Sequence, residues 1–141
     1  MFTVEEANAL VPRLEMEFGR LARLRTEIAP LVEALGGPGE ALELLEKGAP
    51  APPGQERTAA RFQALVAEIN GAVERMNGLG CLVKDLESGL VDFYGMRDGE
   101  PVFLCWQFGE PAVAHWHHVD EGFTGRQPIE DVVVEPPEFL N

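Results

Sequence analysis

The sequence predicts an α+β fold, a long antiparallel helical hairpin followed by a small antiparallel β-meander of about four strands. Three observations predict it. Apolar residues recur at helical spacing over residues 3–35 and again over 56–77. After Gly80 the pattern switches to short runs rich in β-branched and aromatic residues. Segments rich in Pro and Gly punctuate these blocks. At 141 residues the chain reads as a single domain, 1–141, with the hairpin at 3–78 and the meander at 80–134.

The first helix opens with a capping box. The Thr3 hydroxyl can accept from the Glu6 amide while the Glu6 carboxylate reaches back to the Thr3 amide. Ala7, Leu14, Leu21, Ile28 and Leu35 then recur every seven residues, with Val11, Phe18, Leu24 or Arg25, and Leu31 or Val32 between them. This is a helix with a narrow apolar seam, stopped by Gly36-Gly37. Pro12 and Pro30 each remove an amide donor and crowd the preceding turn, so kinks or local breaks are expected there.

Residues 36–54 read as a linker whose Pro and Gly content forbids long regular structure, with a helical turn or two between Glu40 and Glu46. A second helix follows from Glu56 to Asn77. Phe62, Leu65, Val66, Ile69, Ala72, Val73 and Met76 mark its buried stripe, and Gly78 stops it. Two helices joined by such a connection pack antiparallel.

Four strands follow, in CLVKD (81–85), GLVDFYGM (89–96), PVFLCWQF (101–108) and AVAHWHHV (112–119). Asp98-Gly99 is a hairpin signal, and Gly109 marks a further turn. Beyond Pro128, the VVV run at 132–134 is expected to add one edge strand.

Composition narrows the function classes. The formal charge is −13, from 24 acids and 11 bases. Residues 1–79 hold 8 Lys/Arg and 12 Asp/Glu, whereas residues 80–141 hold 3 and 12. Such a surface repels phosphate backbones and anionic membranes, so no nucleic-acid or membrane partner is expected. No apolar run approaches the roughly 18 residues of a membrane span. The N-terminus lacks the basic and apolar regions of an export signal, so the expected location is cytoplasmic. Cys81 and Cys105, the only cysteines, lie on separate predicted strands, and no bridge is expected in a reducing compartment.

One segment carries chemistry. All three histidines fall in His115-Trp116-His117-His118. Strand alternation puts His115 and His117 on one face, and Trp116 and His118 on the other. Two imidazoles so placed can hold a divalent transition metal such as zinc if a neighbouring strand supplies a third ligand. Cys105, Asp92 and Asp120 are the suppliers within reach, and a hydrogen-bonded structural role for the same side chains is the alternative. The run from Asp120 to Arg126, DEGFTGR, reads as a tightly specified loop. Arg126 can bind a carboxylate or phosphate bidentately, or pair internally with Asp120, Glu121 or Asp92. Convergence of Asp92, Cys105, His117 and Arg126 on one small polar pocket, walled by Trp106 or Trp116, is the specific expectation. Asp92, Arg126, Asp120, Glu121 and Trp106 are its ligand-binding set; His117, Cys105 and His115 are its metal-ligating set. Ser88, the only serine, has no histidine near it in sequence, and no nucleophilic triad or phosphate-binding glycine motif is present.

The runs KDLESGLVDF and GEPVFLCWQFGEPAVAHWHHVDEGFTGRQPI, with FTVEEANALVP at the start, resemble a bacterial family of unknown function that pairs a coiled helical hairpin with a W-H-x-x-D-E-G-F-x-G-R ending. The resemblance spans Phe2 to Ile129 and is least specific at 36–54. It implies no activity, substrate or catalytic residue. It does imply a pattern: Lys84, Asp85, Gly89, Asp92, Cys105, Trp106, His117, Asp120, Glu121, Gly122, Phe123, Gly125 and Arg126. His115 and His118 lie outside that pattern.

Two functions compete at this level. One is a non-enzymatic interaction or regulatory module, homodimeric through the seven-residue seam. The other is a metal- or small-anion-binding protein, with enzymatic activity open, centred on the β-meander. On charge alone, duplex DNA should show no measurable binding at about 150 mM salt, and micromolar affinity in a duplex titration would contradict the electrostatic argument.

Overall fold

The computed structural model describes residues 1–130. It is α+β, with three helices and a five-stranded antiparallel sheet. Helix α1 spans Val4–Ala34, α2 Pro38–Glu46 and α3 Glu56–Asn77. The strands are β1 Leu82–Asp85, β2 Leu90–Arg97, β3 Glu100–Gln107, β4 His115–His118 and β5 Gln127–Pro128. The described residues divide into two compact units, Gly19–Glu74 and Met1–Phe18 together with 75–130.

The capping box forms: Thr3 N donates to Glu6 Oε1 at 2.9 Å, and Glu6 N donates to Thr3 Oγ1 at 3.0 Å. The helix then runs through Pro12 and Pro30 without the expected break. Both prolines sit on its exposed side, where the carbonyls they leave unpaired can be hydrated, so each missing amide is tolerated. Ala7, Val11, Leu14, Phe18, Leu21, Leu24 and Leu35 are buried within the chain itself. Ile28 and Leu31 of the same seam are half-buried, packed against the cluster around Leu35 and Phe62.

In the Gly19–Glu74 unit, α1 and α3 run antiparallel, as shown by Arg61 Nη2 donating to Glu27 Oε1 at 2.7 Å and Gln55 Nε2 donating to Ala34 O at 2.7 Å. Within the linker at 36–54, the helical turn or two expected between Glu40 and Glu46 extends back to Pro38. Pro38 starts a nine-residue helix, pre-set for that position by its fixed φ. Ala41 and Leu44, three residues apart, bury against Leu35, Ala59 and Phe62. Tertiary burial makes a helix of a segment too short and too Pro/Gly-flanked to hold one alone.

In the other unit the strands lie in chain order, β1-β2-β3-β4-β5. Asp98 and Gly99 both take positive φ, 52° and 82°, which is the turn whose twist suits the β2–β3 hairpin. The expectation of about four strands falls short by one. The fifth is only Gln127–Pro128, paired to β4 after a 3-10 turn at Phe123–Gly125, and two residues leave no alternation to read. The VVV run at 132–134 lies outside the described residues. β4 is also shorter than its sequence run. Ahead of it, Val113 N donates to Asn8 Oδ1 at 2.7 Å, so an α1 side chain takes the place of a strand partner.

One sheet face packs on the start of α1. Trp106 lies 6.3 Å from Phe18 between ring centroids, and Phe93 lies 5.3 Å from Phe2. At the β1–β2 turn, Gly89 has φ +77°, and a Cβ there would collide with the Phe108 side chain. Gly99 also has positive φ, but open space surrounds it. Gly89→Ala should therefore cost about 2–5 kcal/mol, combining left-handed strain with overpacking, against about 1–2 kcal/mol for Gly99→Ala. Urea unfolding of both variants checks this, and equal losses would remove the steric argument.

Candidate metal centre

The second face of the sheet carries the chemistry. Its register pairs Asp92 with Cys105 and Cys105 with His115, and in the next row Tyr94 with Phe103 and Phe103 with His117. Asp92, Cys105, His115 and His117 thus share one face, but His117 stands diagonal to Cys105. Asp92 and His117 lie two strands apart, roughly 10 Å between backbones. Their side chains nonetheless meet: His117 Nε2 lies 3.1 Å from Asp92 Oδ1 and 3.2 Å from Oδ2. The small Cys105 side chain on the intervening strand leaves room for that crossing. Phe103 covers the imidazole at 5.5 Å between centroids, and Lys84 Nζ sits 5.2 Å from the Phe103 ring centre.

All three groups are buried, with Cys105 0%, His117 2% and Asp92 3% exposed. One ligand atom from each, the Cys105 Sγ, a carboxylate oxygen and an imidazole nitrogen, lies within 4.8 Å of the others. The imidazole is oriented by a second contact. His117 Nδ1 lies 2.8 Å from the His118 carbonyl oxygen, which can only accept, so Nδ1 carries a proton and Nε2 faces the carboxylate. Either a proton or a cation must then stand between Nε2 and Asp92.

Cys105 is held as a thiol. Burial is the main cause, the Asp92 charge adds to it, and Arg126 only partly offsets both, so the group is pushed up to about 12. A thiol so placed is not a nucleophile at neutral pH.

Arg126 lies on the same face, beyond β4. Its Nη2 donates to Glu110 Oε1 at 2.8 Å, to His115 Nδ1 at 3.0 Å and to the Cys105 carbonyl at 3.5 Å, and its guanidinium stacks 4.5 Å from the Phe123 ring centre. A guanidinium has only donors, so His115 Nδ1 is spent as an acceptor. His115 consequently points its lone pair at Arg126 rather than at the Asp92–Cys105–His117 group. Glu110 is the residue that sequence reasoning missed. Its carboxylate takes both Arg126 and the Gln107 amide, the latter at 2.7 Å, and its carbonyl takes Trp106 Nε1 at 3.1 Å. Its place after Gly109, in the turn between two strands, was the available signal.

The remaining expected site residues lie elsewhere. Asp120 and Glu121 are exposed, and Glu121 Oε1 accepts from the His118 amide at 3.2 Å, shaping the turn rather than facing the site. Trp106 and Trp116 are on the opposite sheet face, because strand alternation sends them away from Cys105 and His117. They do not wall the pocket, whose cover is Phe103. Asp85 caps the β1–β2 turn, accepting from the Ser88 amide at 3.1 Å.

A small α+β protein with a buried Asp/Cys/His cluster on the outer face of a β-meander is the class that fold and site define. The chain belongs to the DUF2203 family, described as an uncharacterized conserved protein, whose sequence model matches residues 1–129. No curated protein and no solved structure matches the chain. Among the described residues no helix is long and apolar enough to cross a membrane.

The thiol yields a pH signature for the metal-free protein. Its folded value lies above its unfolded one, so the folded state keeps the proton longer, and stability is present below about pH 8.5 and falls as pH rises toward about 12. Cys105→Ser removes this contribution. Denaturation across that range should show a steeper loss in the parent than in the variant, and parallel curves would mean that the thiol ionises freely when folded.

Proposed function

We propose that the protein is a non-enzymatic metal-binding module that holds one divalent transition metal, zinc in the first instance, on Asp92, Cys105 and His117. The observation that carries this reading is the approach of three buried ligand atoms to within 4.8 Å of one another. Four-coordinate zinc with N, O and S ligands places them roughly 3.3–3.8 Å apart, so a contraction of about 1 Å closes the site. Three further features support it. The backbone carbonyl at His118 fixes the imidazole from behind, as carbonyls and carboxylates do for metal-bound histidines. Asp92 turns both oxygens toward the centre and can fill a fourth position. A thiolate and a carboxylate offset a dication, while Arg126 and Glu110 offset each other.

Burial argues for a structural rather than a catalytic centre, since a catalytic metal keeps a position open to solvent and substrate. Metal would replace the proton held between Asp92 and His117 and the thiol proton, converting a costly buried polar cluster into a coordinated one.

Elemental analysis of untagged protein, before and after zinc titration, tests the reading. The expected result is about one equivalent of metal and a rise in melting temperature on binding. Asp92→Asn and His117→Gln should each weaken binding by about 10–100-fold or more. Protein that takes up no zinc at micromolar concentrations, or variants that bind as the parent does, would leave the cluster as a hydrogen-bonded network alone.

A further inference from the structure

On the helix-facing side of the sheet, away from the candidate metal centre, a cavity of about 250 Å³ opens beside Trp116, lined by Arg97, Asp98, Val102, Leu104 and Ile129 among others. An adjoining depression of about 280 Å³ shares Arg97, Asp98, Val102 and Trp116 with it and extends to Glu100. Arg97 ends β2, and its side chain crosses β3 to lie 4.7 Å over the Trp116 ring. Three bases follow residue 79. Arg126 is spent on Glu110, and Lys84 sits over Phe103. Among the described residues the Arg97 side chain makes neither an ion pair nor a hydrogen bond, although the protein carries 24 acids. A half-buried guanidinium stacked on an indole at the mouth of a cavity of mixed polar and apolar lining is a pre-organised carboxylate receptor, planar and low in conformational freedom.

The charge around it narrows the ligand. A net charge of −13, with Asp98 and Glu100 beside the cavity, opposes a simple anion, whereas a zwitterion carries no net charge to repel and offers an ammonium group to those carboxylates. The volume suits one small molecule with an apolar body against Val102, Leu104 and Ile129. We infer that this cavity binds a free apolar α-amino acid, with its carboxylate on Arg97, its ammonium toward Asp98 and Glu100, and its side chain against Trp116. This site is independent of the metal reading.

Titration of the full chain with L-leucine and L-phenylalanine, followed by ¹H–¹⁵N correlation of the Trp116 indole and Arg97 side-chain signals, tests it. The expected result is a saturable shift of those signals, unchanged when the protein is first treated with EDTA. N-acetyl-L-phenylalanine, which lacks the ammonium group, and L-phenylalaninamide, which lacks the carboxylate, should each bind about tenfold more weakly or worse. Arg97→Gln should lose binding to a similar degree with an unchanged near-ultraviolet circular dichroism spectrum. If that variant does not fold, the two blocked ligands decide the matter on the parent chain. No saturable shift up to about 10 mM, or equal affinity for the blocked and free amino acids, overturns the proposal.

Discussion

A carboxylate buried in the middle of a sheet has to be answered by a proton or a cation, because an isolated charge there would cost more than most small domains have to spare. Asp92 is such a group, and much of the outer sheet face is arranged around it. His117 reaches it from two strands away, which requires the residue between them to be small, and Cys105 is. The imidazole must present Nε2, which requires Nδ1 to be occupied, and the His118 carbonyl occupies it. Phe103 then closes the cluster from above. Each of these choices follows from the one buried charge.

The two faces of the sheet solve different problems. Trp106 and Phe93 on the inner face meet aromatic side chains from residues 2–18. On the outer face Phe103 lies against the His117 ring, with Lys84 over it in turn. Arg126, returning after the 3-10 turn, is pinned by Glu110 and by the Phe123 ring. That pin holds β5 against β4 through residues too few to pair firmly by backbone bonds alone. The loop and the outer face are thus one construction, in which a salt bridge seats β5 beside β4 and the sheet positions Asp92, Cys105 and His117.

The chemistry of the buried cluster is that of groups held in place. The cluster has no activated nucleophile, since the thiol is held protonated by the same burial that brings it near Asp92. The family match, over residues 1–129, takes in both the helices and the sheet.

Much was legible in the chain alone. The limits of α3, the capping box at Thr3 and the Asp98-Gly99 turn follow from local periodicity and local conformational preference, which act over a few residues and can be read there. Strand alternation likewise placed His115 and His117 on one face and Trp116 on the other. Other features depended on partners distant in sequence. Helix α2 exists because Ala41 and Leu44 find Leu35 and Phe62 to bury against. His117 rather than His115 joins Asp92, because the register shifts it to the diagonal and Arg126 claims His115. Glu110 captures Arg126, although Asp120 and Glu121 stand nearer to it in sequence. The sequence by itself determined the two long helices, the four longer strands and the face each strand side chain takes. Tertiary structure alone decided which side chains meet, because cross-strand register and loop return are set by packing energies summed over the whole sheet.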